Sequence, residues 1–111
     1  MSEIKHVGED IWVKIDGDIA TVGLEKEKAS GLESISFIEL PDVGKKVNKG
    51  KEVVNIETAK SVEKIKSPLS GEIINVNAAL KENSDLLIED PTDKGYLFCI
   101  KIENGNELKE L

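Results

Sequence analysis

Short apolar runs alternate with turn residues along almost the whole chain, and no long stretch keeps a 3.6-residue apolar period. Residues 11–15 end at Asp16-Gly17-Asp18 and residues 19–23 follow, which predicts a hairpin. Residues 25–30 combine charge with good helix formers, but Gly31 limits them to a turn or two. Residues 34–40 alternate and stop at Pro41, which disfavours continuation in a central strand. A short strand is expected near Val47, between turns at Val43-Gly44 and Lys49-Gly50. Residues 53–56 and 62–66 form the next pair of strands, separated by a polar interruption. Pro68 and Gly71 precede a strand over residues 72–77, with Ile73 and Val76 directed to the core. Residues 86–88 and 96–102 read as the last strands, and residues 106–111 as a helical turn. So many short strands at close spacing predict one mainly β domain over residues 1–111, an antiparallel sandwich or flattened barrel with one or two short helices. Residues 37–41 and 53–54 also echo 73–77 and 86–87, as two similar halves would.

Charge narrows the function. The net charge is −7, and none of the fifteen basic residues is arginine. Nucleic-acid binding wants a basic face and arginines for phosphate and base contacts, so that class is excluded. Acidity fits solubility and docking onto basic surfaces of partner proteins. Cys99 is the single cysteine, which excludes an intramolecular disulfide and a cysteine metal cluster. Within the apolar run 96–102 it reads as a small packing residue and not a reactive thiol. His6, the single histidine, lies near a terminus expected to fray, so neither a histidine dyad nor a histidine metal site is available. No nucleophile elbow, phosphate loop or dinucleotide fingerprint occurs, and nothing in the spacing of twenty-two carboxylates singles out an acid–base pair. These absences favour a non-catalytic protein. Without a secretion signal or membrane span in the sequence, the cytoplasm is the expected location and a membrane is not an expected partner.

Residues 56–77 carry the chemistry, reading as strand, tip, strand, turn and strand, with Lys60 in the tip and pointing to solvent. The tip lacks the Asn-Gly or Asp-Gly signal of a two-residue hairpin, and an exposed lysine is ordinarily only a solubilising charge. Three features nevertheless fall in register. Glu57 stands three residues before Lys60, Ser67-Pro68-Leu69-Ser70-Gly71 follows, and Gly71 lies eleven residues after the lysine. Together they resemble the modification hairpin of lipoyl carrier domains. Ile19-Ala20-Thr21-Val22-Gly23-Leu24, Glu39-Leu40-Pro41-Asp42-Val43-Gly44 and Asp90-Pro91 followed by Gly95-Tyr96-Leu97 extend the likeness. In these the chain is similar to the H-protein family of the glycine cleavage system.

The resemblance implies a barrel-sandwich hybrid fold, the lipoyl/biotinyl-type flattened barrel, with lipoate attached covalently to Lys60. It implies that Glu57 is read by the lipoate ligase or lipoyl transferase that attaches the cofactor. Gly71 is expected to serve backbone geometry near the tip through its tolerance of positive φ. A member of the family is a carrier and not an enzyme. It ferries an aminomethyl group and then electrons among glycine decarboxylase, aminomethyltransferase and dihydrolipoyl dehydrogenase. Amide formation removes the lysine charge, so modification would take the net charge from −7 to −8.

The chain departs from the family pattern at several places. Asp10-Ile11 precedes Trp12 where the family usually has His-Glu, and in Glu25-Lys26-Glu27-Lys28-Ala29-Ser30-Gly31-Leu32 only Leu32 clearly matches. Lys64 stands where an aspartate associated with the loaded arm is common, and the C-terminal tail looks short. These departures suit an alternative, an H-like lipoylated carrier in lipoate relay or in an oxidative-stress response linked to ADP-ribosylation. A second alternative is the lipoyl domain of a 2-oxo acid dehydrogenase acyltransferase, whose Glu-Thr-Asp-Lys hairpin resembles Glu57-Thr58-Ala59-Lys60. Against it, fifty-nine residues precede Lys60 and no Pro/Ala-rich linker follows. A biotinyl domain would place methionines beside the lysine, where this chain has Ala59 and Ser61.

Overall fold

In the computed structural model, which describes residues 3–111, the apolar alternation resolves into two antiparallel sheets sharing one core. Along the chain come β1 (Glu3–Val7), β2 (Ile11–Asp16), β3 (Ile19–Leu24), α1 (Lys26–Ser30), β4 (Ile35–Glu39), β5 (Lys46–Val47) and β6 (Glu52–Thr58). Then follow β7 (Val62–Lys66), β8 (Gly71–Val76), α2 (Ala79–Glu82), α3 (Leu86–Glu89), β9 (Phe98–Ile102) and a 3-10 turn over Gly105–Glu110. The larger sheet has the order β1-β2-β3-β9-β8-β5, and the smaller has β4-β6-β7. This is the mainly β barrel-sandwich that the strand spacing and the resemblance imply.

The period of two decides what is inside. In β6, Val54 and Ile56 are buried while Glu57 is exposed; in β9, Phe98 and Ile100 are buried and Lys101 is exposed. Each such fully buried large side chain contributes roughly 1.5–3 kcal/mol relative to exposure. The hairpin between β2 and β3 turns at Gly17, whose φ of 64° is left-handed and costs glycine nothing. Trp12 faces Gly23 across that pair, and its ring fills the space that a Cβ on residue 23 would need. The indole Nε1 donates to the Pro91 carbonyl at 3.1 Å, tying the sheet to the loop before β9.

Four expectations change. Residues 86–88 form α3 and not a strand: the amides of Glu89 and Asp90 donate to the carbonyls of Asp85 and Leu86, and only Leu87 is fully buried. A three-residue apolar run cannot distinguish the two periods. The internal echo consequently ends at β8. His6 is not in a frayed end but in β1, opposite Trp12, with Nδ1 2.5 Å from Glu25 Oε2. Gly71 does not have positive φ; it begins β8 in the large sheet, where a Cβ would lie 1.9 Å from the Lys101 carbonyl oxygen. Its role is close approach of two strands. Helical structure stays minor, in three short helices and the 3-10 turn where the sequence pattern suggests one or two helices.

Candidate functional site

The β6–β7 hairpin closes on side-chain chemistry. The Thr58 amide donates to the Ser61 carbonyl at 2.8 Å, and Thr58 Oγ1 accepts from the amides of Lys60 (3.2 Å) and Ser61 (3.0 Å). No tip residue has positive φ, so this is not a primed turn. A threonine hydroxyl instead takes the amides that the sharp reversal would leave unpaired. The signal for it is the pairing of Thr58 with Ser61, which sequence reading passes over because both residues are common.

Lys60 lies in the loop itself, its side chain 75% exposed. Its Nζ sits 2.9 Å from Glu33 Oε2, on a side chain that is 65% exposed. Glu33 comes from the connection between α1 and β4, where Ser34 adopts a left-handed φ of 53° and redirects the chain. Sequence reading does not single out Glu33. Such an exposed pair is weak, worth at most about 1 kcal/mol.

The hairpin end has two sides. One borders a shallow cleft against α1, lined among others by Glu27, Lys28, Leu32, Glu33 and Glu63. Lys28 Nζ lies 2.5 Å from Glu63 Oε1, bridging α1 and β7. That hydrogen bond holds the Glu63 carboxyl below its ordinary range, reinforced by the Lys28 charge. It raises the Lys28 ammonium in turn, against partial burial and with help from Asp10. The other side faces outward. Phe37, Glu57 and Val62 are in cross-strand register, so their side chains share one face, and Glu39, Asn55 and Lys64 form the next row. Glu57 therefore shares the hairpin with Lys60 without pairing to it, and its carboxylate has no ion-pair partner among the described residues. Of the departures from the family, Glu27 and Lys28 line the cleft, whereas Lys64 belongs to the outward rows.

Ser67-Pro68-Leu69-Ser70-Gly71 works at a distance from this chemistry, as the link between the two sheets. Ser67 and Leu69 are buried, and Glu107 accepts from the amide and hydroxyl of Ser70 at 2.7 and 2.9 Å. Cys99 is half-buried in β9 beside Thr21, with Sγ and Oγ1 3.4 Å apart. Among the described residues no cluster of three or more His, Cys, Asp or Glu could hold a metal. No helix among them is long and apolar enough to cross a membrane.

Two antiparallel sheets around one core make this a barrel-sandwich of the lipoyl/biotinyl type, with Lys60 exposed on a hairpin locked by side chains. The profile described as "Glycine cleavage H-protein" matches residues 4–111. A glycine cleavage system H protein of Xanthobacter autotrophicus is 35% identical over 111 residues, covering 100% of this chain and 89% of that one. Its counterpart in Thermotoga maritima is 37% identical over 107 residues, 96% of this chain and 86% of that one. The crystal structure of a glycine cleavage system H protein from Mycobacterium marinum superposes with a TM-score of 0.83 at 26% identity, covering 90% of this chain and 84% of that one. The chain belongs to the glycine cleavage H-protein family, whose members are non-catalytic lipoyl carrier subunits. These relatives do not favour the H-like, acyltransferase or biotinyl alternatives.

Proposed function

We propose that Lys60 is the residue acylated by lipoate, and that the chain moves an aminomethyl group and reducing equivalents on that arm in the cytoplasm. The enzymes it serves are glycine decarboxylase, aminomethyltransferase and dihydrolipoyl dehydrogenase. The observation that carries this reading is the tip geometry: the amine is open to solvent while Thr58 holds the backbone beneath it. A tethered base with a solvent-exposed amine suits an arm that must visit several partners.

The surroundings fit the group. Among the described residues Glu33 alone pairs with the amine, and both side chains are well exposed, so acylation costs little when it removes the lysine charge and breaks the pair. When bound, lipoate supplies a dithiolane whose reversible opening takes up a one-carbon amine and electrons. The protein supplies presentation: Thr58 fixes the direction of the hairpin, and Glu57 is read by the lipoate ligase or lipoyl transferase.

Intact-mass spectrometry of chain expressed in a lipoate-replete host should show one lipoyl adduct, mapped to Lys60 by proteolysis. The modified chain, mixed with the three enzymes, should support glycine-dependent NADH formation. An unmodified mass would refute the cofactor assignment. Full modification with no NADH would refute the glycine cleavage role and leave the carrier intact.

A further inference from the structure

A lysine-attaching enzyme has to choose one amine among fifteen, and sequence spacing does not define the choice. Glu25 precedes Lys28, and Glu63 precedes Lys66, by the same three residues that separate Glu57 from Lys60. Those other lysines sit in α1 and β7, not on a loop. What the fold adds at Lys60 is a row. Phe37, Glu57 and Val62 lie side by side across β4, β6 and β7 on the outward face, next to the hairpin loop. Five large apolar side chains are left exposed among the described residues, and Phe37 (54%) and Val62 (52%) are both in this row. Between them stands a carboxylate with no ion-pair partner among those residues.

We propose that the row Phe37–Glu57–Val62 is the docking surface for the enzyme that acylates Lys60, met there by a cationic side chain set between apolar ones. The proposal rests on the reading that Lys60 is the lipoylated residue. Covering Phe37 and Val62 dries the space around Glu57, and a carboxylate taken out of water must be paired. An arginine or lysine on the enzyme supplies that charge, in keeping with a chain of net charge −7. The attaching enzyme is favoured over those acting later because of reach. Before acylation the amine stands only at the end of its own butyl stem, so the enzyme must press against the hairpin. Afterwards the reacting sulfurs lie further out by the length of the acyl chain, and the sheet face need not be touched.

The test uses a purified lipoate–protein ligase with lipoate and ATP, acylation of the whole chain being followed by intact mass. The double variant Phe37→Ala/Val62→Ala should raise the KM for the chain about tenfold, with a smaller change in kcat. Val43→Ala, which trims an exposed apolar residue off the row, should leave KM unchanged. Val62→Thr keeps the branched shape and removes apolar surface, so it reports on docking even if the double variant is poorly folded by thermal melting. KM values within about twofold of the parent for both row variants would overturn the proposal, as would an equal loss from Val43→Ala. With excess ligase the double variant should still reach full modification at Lys60. That material should then be reduced by dihydrolipoyl dehydrogenase and NADH at the parental rate; an equally large loss at this step would assign the face to later enzymes instead. A parent chain that is never acylated at Lys60 refutes the lipoyl reading and this proposal with it. A parent acylated normally, with unaffected variants, refutes the surface alone.

Discussion

The six-stranded sheet and the end of the three-stranded sheet are built by different means. In the large sheet, strands approach so closely that atoms cannot be added: a Cβ on Gly71 would meet the Lys101 carbonyl at 1.9 Å, and one on Gly23 would enter the Trp12 ring. Asn77, buried at the end of β8, donates from Nδ2 to the carbonyls of Lys94 and Tyr96 at 2.7 and 2.8 Å and so fixes the loop before β9. The hairpin end of the small sheet is assembled from side chains near water: the Thr58 hydroxyl, the Lys60–Glu33 pair and the Lys28–Glu63 pair. Contacts of the first kind meet a backbone carbonyl or a buried ring with little room to yield, whereas those of the second kind can rearrange. Damage to the large sheet should therefore appear as lost stability, and damage to the hairpin end as lost modification.

The sharpest separation comes from Lys60→Arg. Arginine keeps the charge toward Glu33 but offers no acylable amine, so lipoylation should vanish completely while unfolding free energy stays within about 0.5 kcal/mol of the parent. Residual adduct by intact mass would mean another lysine carries the group. Gly71→Ala should do the reverse. Its Cβ cannot be accommodated without separating β8 from β9, so a loss of about 3 kcal/mol or more is expected in urea unfolding. The fraction that remains folded should still be lipoylated. A small stability loss would show that the strands can slide apart cheaply, and the contrast between the sheets would fail.

The same division governs what can be read from the sequence. Eight of the nine strands among the described residues follow from apolar alternation and turn residues, because one face of each meets a core and the period of two is enforced there. β1 escapes because Ile4 and His6 are exposed and its pattern carries no buried face. α3 escapes because a run of three apolar residues fits either period. At the hairpin end, no periodicity distinguishes Lys60 from fourteen other lysines; a resemblance in register supplies that. Thr58 and Glu33 stay hidden for a further reason. One acts through a hydroxyl bonded to its own loop, and the other arrives from a connection whose direction depends on Ser34 at φ 53°.

Thr58→Val asks how far the hydroxyl fixes the tip. Valine keeps the branched shape and strand propensity but leaves the Lys60 and Ser61 amides without their acceptor. Because these amides are exposed and water can replace the threonine, stability should fall by only about 1 kcal/mol. The lipoylation rate should fall several-fold at subsaturating chain, since a mobile loop spends less time presenting the amine. A large stability loss with an unchanged rate would place Thr58 with the structural glycines and blur the comparison.

The smallest effect should come from Glu63→Gln, and its pH dependence gives it away. The Lys28–Glu63 pair is about three-quarters buried on both side chains, at 27% exposure each, yet it stands at a cleft open to water. Its contribution is thus expected at about 0.2–1 kcal/mol near neutrality. Glu63 titrates lower in the folded chain than in the unfolded one, so its stabilisation is present above the ordinary carboxylate value of 4.5 and lost as pH falls through the depressed folded value. Lys28 titrates higher when folded, so its share is present below 10.5 and lost as pH rises through the raised folded value. The glutamine variant should therefore be less stable than the parent between these limits and indistinguishable from it once Glu63 is protonated in both states. Thermal unfolding at about pH 2.5 and pH 7 would measure this, given a parent still folded at the lower pH. A deficit of equal size at both values would mean that the loss does not come from the carboxylate charge, and that the strut from α1 to β7 owes nothing to ion pairing.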